Sequence, residues 1–443
     1  MKALYRELPK KKRAVLRLFA YAEEKPELQR YLRRSAAFEP EVREVVLEIL
    51  KNIEERGDAA LFEYTERFQG FRPGEVTVSA EEIKKAYRSA ERGFMAVLEE
   101  AYANITAFHE LESEKSFFCE GENRVILGQR VTPLERVMLY IPGGKAAYPS
   151  SLLMNVAPAR VAGVQEIFLT TPCDGEGKIS PHILAAAHVA GVDTIYKFGG
   201  AQAVGAFAFG TERVPKVDKI TGPGNKYVAL AKKEVFGHVS IDSIAGPSEV
   251  VVIADGSADP EFIVLDLFAQ SEHDPDASSV LITDSAELAT AVKTLADEMV
   301  ATMERSDIIR QALRANGAIV QTKDIREACE VSNMIAPEHL ELHVRDSWEI
   351  LPDLKHAGAI FMGSYSCESV GDYFAGPNHT LPTNGTARFF SPLSVRDFIK
   401  HTSIISYSKE QLALSGEKIA QFADHERLQA HAEAVRARLR KLR

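Results

Sequence analysis

From about residue 136 the chain falls into short apolar runs separated by Ala- and Val-rich stretches, and this alternation limits the fold more than any other feature. Val137-Met138-Leu139-Tyr140-Ile141 stops at Pro142-Gly143-Gly144. Ile167-Phe168-Leu169-Thr170 follows, then Ile195-Tyr196-Lys197-Phe198, with helical segments such as residues 183–190 between them. Apolar runs alternating with helices specify parallel βαβ units. A second series begins at Val250-Val251-Val252-Ile253 and continues with Val280-Leu281-Ile282, Ala318-Ile319-Val320 and Ala359-Ile360-Phe361-Met362. The chain has 443 residues, too many for one ordinary core. The two series therefore predict an α/β protein with two parallel-sheet globules.

The flanks read differently. Pro40 is placed to open a helix, and Val42, Val45, Val46, Ile49, Leu50 and Ile53 form a stripe at helical spacing. Gly57-Asp58 ends that helix and a second one starts at Ala59. After about residue 409 the chain is again helical and charged, ending in Arg436, Arg438, Arg440, Lys441 and Arg443. No short repeat or low-complexity segment interrupts this order.

The chain is 45% hydrophobic and 26% charged, as ordered globular proteins are. A net charge of -10 argues against a nucleic-acid or anionic-membrane surface. Lys10-Lys11-Lys12-Arg13 is the one basic cluster near the start and reads as a solvated helix face rather than a targeting signal. Cys119, Cys173, Cys329 and Cys367 form no CxxC pair. They suit a reducing compartment and offer no thiolate zinc site. The N-terminus lacks a signal-peptide apolar stretch, and no apolar run is long enough to span a bilayer. The expected location is the cytoplasm.

Several separated groups carry chemistry. Asp259-Pro260 should start a helix that runs to Asp274-Pro275, with Gln270 and His273 three apart on one face of its last turn. They are either metal donors or a surface amide and a C-capping histidine. Glu338-His339, after Ala336-Pro337, is either an acid/base pair or a helix start. Residues 371–379, Gly-Asp-Tyr-Phe-Ala-Gly-Pro-Asn-His, read as an irregular segment holding the potential ligands Asp372, Asn378 and His379. Gly199-Gly200-Ala201-Gln202 and Gly222-Pro223-Gly224-Asn225 each follow a strand and precede a helix, where backbone N–H groups can meet a phosphate. Neither is the G-x-G-x-x-G fingerprint. Glu426 and His431, five apart, would lie about 140° apart on a straight helix. Either a helix begins between them, or a ligand is gripped from two sides, or they are solvated charges.

In order and spacing these pieces resemble the histidinol dehydrogenase family. The resemblance runs from about Gly57-Asp58 to His431. Its most specific stretches are Tyr140-Ile141-Pro142-Gly143-Gly144, Gly199 to Ala203, Thr221 to Asn225, Ala245-Gly246-Pro247-Ser248-Glu249, Glu272 to Asp276, Ala336 to Leu340 and Gly376 to Thr383.

The resemblance implies NAD- and zinc-dependent oxidation of L-histidinol to L-histidine through an aldehyde. It implies one zinc per subunit, held by Gln270, His273, Asp372 and His431, the last supplied by the other subunit of a homodimer, with Glu426 a second contribution from that subunit. It implies an acid/base pair of Glu338 and His339, substrate contacts at Ser248 and His379, and NAD held by Tyr140, Gln202 and Asn225 in an incomplete Rossmann-like domain.

The expected organisation is a helical segment over 1–40 and an α/β domain over 41–135 and 248–390 carrying most metal and catalytic residues. A NAD domain spans 136–247, and a helical tail over 391–443 reaches a partner subunit. No nucleic-acid or membrane partner is expected. The alternatives are a related dehydrogenase of another amino or sulfonated alcohol, a zinc hydrolase with Glu338 as base, and a non-catalytic metal-binding protein.

Overall fold

Two parallel sheets form the frame, as the apolar runs require. The first has six strands. In spatial order they are Arg17–Ala20, Ala318–Gln321, Ser278–Thr283, Glu249–Ala254, His339–His343 and Ala359–Met362. The second has five: Ile195–Tyr196, Glu166–Thr170, Arg136–Tyr140, Lys219–Thr221 and Ser240–Ile241. Every pairing within these two sheets is parallel. Glu249–Ala254 and Ser278–Thr283 are buried along their whole length. Helices cover both of their faces, which is why they read as unbroken apolar runs rather than as an alternation. A third sheet, antiparallel, joins Ile399–Ser406, Ile126–Pro133 and Phe117–Glu120. The computed structural model describes residues 15–32, 39–72, 74–143, 148–192 and 194–442. The basic cluster at 10–13 and Gly144 lie outside the described residues.

The domain boundaries expected from the sequence shift in three places. The segment assigned to an N-terminal helix holds a strand first. Arg17–Ala20 pairs with Ala318–Gln321 and extends the first sheet, and only then does the helix Tyr21–Tyr31 begin.

The helices between 40 and 110 do not join the first sheet, as the grouping of 41–135 with 248–390 has it. Val42, Val46, Ile49 and Leu50 share a core with Met138, Tyr140 and Phe168. Ile83, Met95, Leu98 and Ile105 share one with Val137, Leu139 and Leu169. These helices therefore cover the two faces of the second sheet, which the short crossover helices Pro181–Val189 and Gly200–Phe209 leave incompletely buried.

The tail from 391 opens with the strand Ile399–Ser406 and becomes helical at Lys409–His425 and Gln429–Arg440. The apolar stripe of Pro40–Arg56 faces inward except at Val45, which is exposed.

Strand order locates the crevices. In the second sheet the order reverses between Arg136–Tyr140 and Lys219–Thr221, and ligands of open parallel sheets bind beyond the carboxyl ends at such a reversal. Tyr140 and the loop 222–225 stand at those ends. In the first sheet the reversal falls between Glu249–Ala254 and His339–His343. There the Ser248-Glu249 and Glu338-His339 motifs stand at the amino ends instead.

Candidate active site

Glu338 and His339 are held by the neighbouring strand. The turn that delivers them is a helix stop, not a helix start. Ala336 caps Ile325–Ile335 in the left-handed region at φ 54°, Pro337 follows, and the strand begins at His339. Glu338 Oε2 accepts the Glu249 N–H at 2.9 Å, and His339 Nδ1 lies 3.1 Å from the Glu249 carbonyl oxygen. With Nδ1 as the donor, Nε2 is left buried with no hydrogen-bond partner. It points towards Asp372 Oδ1 at 3.8 Å.

Gln270 is the penultimate residue of Pro260–Ser271, whose N-terminus Asp259 caps by accepting the Glu261 N–H. The helix ends at Ser271 rather than at Asp274. His273 therefore sits in the turn beyond it and not on the helix face with Gln270. It is exposed at the mouth of the site. Turned so that its nitrogen meets acceptors, the buried Gln270 amide lies 3.1 Å from Glu368 Oε2 and 3.2 Å from the Glu249 carbonyl oxygen.

Asp372 lies in a short helix, Glu368–Tyr373, and not in an irregular loop. That helix brings in a residue the sequence reading missed. Glu368 is four positions before Asp372 and shares its face. His273, Glu368 and Asp372 each present a donor atom, and the three lie within 4.8 Å of one another. His379 Nδ1 lies 2.9 Å from the Asp372 carbonyl oxygen. Asn378, a potential ligand by sequence, is engaged elsewhere. Its amide donates to the Met154 carbonyl at 2.6 Å, and its nitrogen lies 3.2 Å from His109 Nε2. Ser248 is half-buried, and its carbonyl accepts the Ser278 N–H at 3.0 Å.

Charge is shared unevenly across this group. Burial pushes the Glu338 carboxyl up to about 7. Burial also raises Glu368 well above the ordinary carboxyl range, helped by the Asp372 and Glu338 carboxylates. Burial depresses His339, but Glu368, Glu338 and Asp372 outweigh it and lift the imidazole well above its usual value. Asp372 is raised by burial, yet the His339, His379 and His273 rings hold it below the ordinary range. Burial lowers His379, and the groups packed around the inner side of His273 desolvate and lower that ring too, although the residue is exposed on its outer side. Neutral imidazoles beside an ionised carboxylate are the forms that bind a divalent cation.

The second sheet offers a separate set. The Tyr140 hydroxyl accepts the Gly200 N–H at 3.0 Å, and burial lifts its pKa to about 12. Gln202 is buried with Oε1 unpartnered. Asn225 caps Lys226–Val235 by accepting the Tyr227 and Val228 N–H groups, which leaves its amide nitrogen free of that task. Gly222, at φ +104°, is the turn that lets this loop pass. A Cβ there would stand 2.1 Å from the Tyr140 carbonyl oxygen.

Glu426 and His431 are not brought to this group within one chain. Glu426 caps Lys409–His425, Arg427 turns the chain at φ 59°, and His431 lies in the first turn of Gln429–Arg440. Both are exposed and line one groove with Ile419, Phe422 and Leu428.

A buried carboxylate–imidazole pair and a nitrogen/oxygen donor cluster set in a frame of two parallel sheets are the parts of an α/β enzyme site. The Histidinol dehydrogenase family model matches residues 32–439. The chain is 66% identical over 428 residues to a histidinol dehydrogenase of Chlorobaculum tepidum, covering 97% of this chain and 100% of that one. It is 52% identical over 401 residues to a histidinol dehydrogenase of Geobacillus kaustophilus, covering 90% of this chain and 95% of the other. The crystal structure of histidinol dehydrogenase from Elizabethkingia anophelis superposes with a TM-score of 0.91 at 36% identity, over 97% of this chain and 99% of that one. The chain belongs to the histidinol dehydrogenase family, an enzyme family of histidine biosynthesis.

Proposed function

We propose that this enzyme oxidises L-histidinol to L-histidine in two NAD-dependent steps at a zinc-assisted site. The observation that carries the reading is the convergence of Glu338, His339, Asp372, His379 and Gln270 at the amino edge of the first sheet, within a chain of this family. Gln270, His273 and Asp372 would hold the metal, with His431 of a second subunit as the fourth donor. Two of these, His273 and Asp372, have donor atoms that lie with one of Glu368 within 4.8 Å of one another, and their N/O chemistry fits such an ion. When bound, zinc supplies a template for the substrate's nitrogen atoms and positive charge beside the reacting oxygen.

The chain's own groups divide the proton work. Nδ1 of His339 is turned to the Glu249 carbonyl and the buried Nε2 faces the site; with a divalent cation held at Asp372 to offset the carboxylates that raise the ring, Nε2 is free to accept the hydroxyl proton as hydride passes to NAD. Glu338, poised near 7, then takes a proton from the water that adds to the aldehyde. His379 and Ser248 would contact the substrate. Tyr140, Gln202 and Asn225 would seat NAD at the switch point of the second sheet.

The exposed groove carrying Glu426 and His431 supports a homodimer in which each tail completes the partner's site. A cytoplasmic location fits a chain in which, among the described residues, no helix is long and apolar enough to cross a membrane. The test is NADH formation on adding L-histidinol, with and without chelator. Two NADH per substrate and loss with chelator support the reading. No NADH at all refutes it.

A further inference from the structure

Behind the site described above lies a second cluster that none of the proposed chemistry uses. Strand period two puts His339, Glu341 and His343 on one face of His339–His343, and Asp266 sits one helical turn before Gln270 on Pro260–Ser271. The two elements thus present two rungs. The first carries His339 and Gln270, and the second carries Asp266, Glu341 and His343. The three donor atoms of the second rung lie within 4.8 Å of one another, and all three residues are buried.

Three observations point to a ligand there. Asp266 Oδ2, Glu341 Oε2 and both His343 ring nitrogens are buried without hydrogen-bond partners. His343 Nε2 lies 3.4 Å from Asp266 Oδ2 and 3.5 Å from Glu341 Oε2. Those separations are long for hydrogen bonds. They match the ligand–ligand edge of a tetrahedron whose bonds are about 2.0–2.1 Å, which is about 3.3–3.4 Å. Finally, all three side chains are enclosed in a dry setting, where a divalent ion would supply the partner that their open donor atoms lack.

We propose that Asp266, Glu341 and His343 bind a second divalent metal ion of the Zn2+ class, separate from the one the family site would hold. Three protein donors of nitrogen and oxygen leave a fourth position open. Co2+ and Mn2+ are the natural substitutes. The ion has a structural consequence as well. The other oxygen of Glu341, Oε1, accepts the Glu368 N–H at 2.8 Å. Fixing Glu341 therefore fixes the start of the helix that carries Glu368 and Asp372. The rival is a proton shared between Asp266 and Glu341, and burial beside Glu341 does push Asp266 up to about 8.

Metal analysis of the purified full chain, stripped with chelator and reloaded with Zn2+, separates the two. The inference expects two equivalents per chain in the unaltered protein, one in His343→Gln, one in Asp372→Ala and none in the double variant. Co2+ titration of the unaltered protein gives the same count without any substitution, so a folding failure of a variant leaves the test intact. Saturation at one equivalent, with that equivalent kept in His343→Gln and lost in Asp372→Ala, overturns the inference and leaves the proposed family site standing. A count unchanged by Asp372→Ala and lowered by one in His343→Gln sinks the family site instead and leaves the inference standing.

Discussion

Glu338→Gln tests the central assignment most directly, because the two side chains are nearly isosteric and the amide oxygen can still accept the Glu249 N–H. Two effects follow from one pKa. A carboxyl held at about 7 rather than 4.5 carries a penalty of about 3 kcal/mol on its ionised form in the folded protein. Below pH 4.5 the carboxyl is protonated whether folded or unfolded, and the penalty is absent. It grows as pH rises towards about 7 and is complete above that.

Chelated Glu338→Gln protein should therefore be more stable than the unaltered protein by up to about 3 kcal/mol near pH 8, and equal to it near pH 4. Activity moves the other way. As general base, Glu338 is about one-tenth ionised one pH unit below its pKa, so the aldehyde half-reaction should lose about tenfold per unit on its acid limb. A bound divalent ion shifts that limb to lower pH. Glu338→Gln should lower the aldehyde step by about 10²–10⁴ and abolish the limb. Urea unfolding at the two pH values and single-turnover oxidation of the aldehyde supply the readings. An unchanged aldehyde rate, or a variant no more stable at high pH than at low, would refute the reasoning.

His339→Ala should slow histidinol oxidation more than aldehyde oxidation, and equal losses in single turnovers from the two substrates would contradict a base role for Nε2. Asp372→Ala should abolish metal binding at the His273 site, which metal analysis of a preparation that also carries His343→Gln reads without interference. Gly222→Ala forces a Cβ to within 2.1 Å of the Tyr140 carbonyl oxygen at a φ only glycine takes easily. It should weaken NAD binding by calorimetry, or unfold the second sheet, and wild-type affinity would show the loop to be irrelevant to NAD. Mixing inactive His339→Ala and inactive His431→Ala proteins under subunit exchange should restore partial activity, and continued inactivity despite proven exchange would place both residues in one chain's pocket.

The long buried strands were legible because residues covered on both faces leave continuous apolar runs, as at Val250-Val251-Val252-Ile253. Arg17–Ala20 was not. It has four residues and finds its partner, Ala318–Gln321, about three hundred positions away, so nothing local marks it. The helices between 40 and 110 were visible as helices, but their stripes carry no address. Only the shared core with Met138 and Tyr140 shows which sheet they cover. Glu368 escaped because a six-residue helix is too short to show a period, and Gly371, Gly376 and Pro377 gave the stretch the texture of a loop. Glu341 and His343 were legible in principle. His-Leu-Glu-Leu-His alternates polar and apolar over five residues, and a fully buried strand with polar groups on one face is a strand with something to hold.

The position of the site at the amino edge of the first sheet follows from how the chain crosses between sheets. It leaves the second sheet at Ser240–Ile241, on the carboxyl side where Tyr140 and Gly222 stand, and enters the first at Glu249, at the amino end. Seven residues make that passage, so the carboxyl edge of one sheet and the amino edge of the other meet there. The passage is closely fitted. The Gly246 N–H donates to Thr383 Oγ1 at 2.6 Å, and a Cβ on Gly246 would stand 1.9 Å from Asn384 Nδ2. Asn378 fastens the other end of the same loop to Met154, on a helix of the second sheet. The segment bearing His379 is thus tied to both sheets. The switch point of the second sheet and the groups at the amino edge of the first are thereby kept in register by side-chain-to-backbone hydrogen bonds of the chain itself.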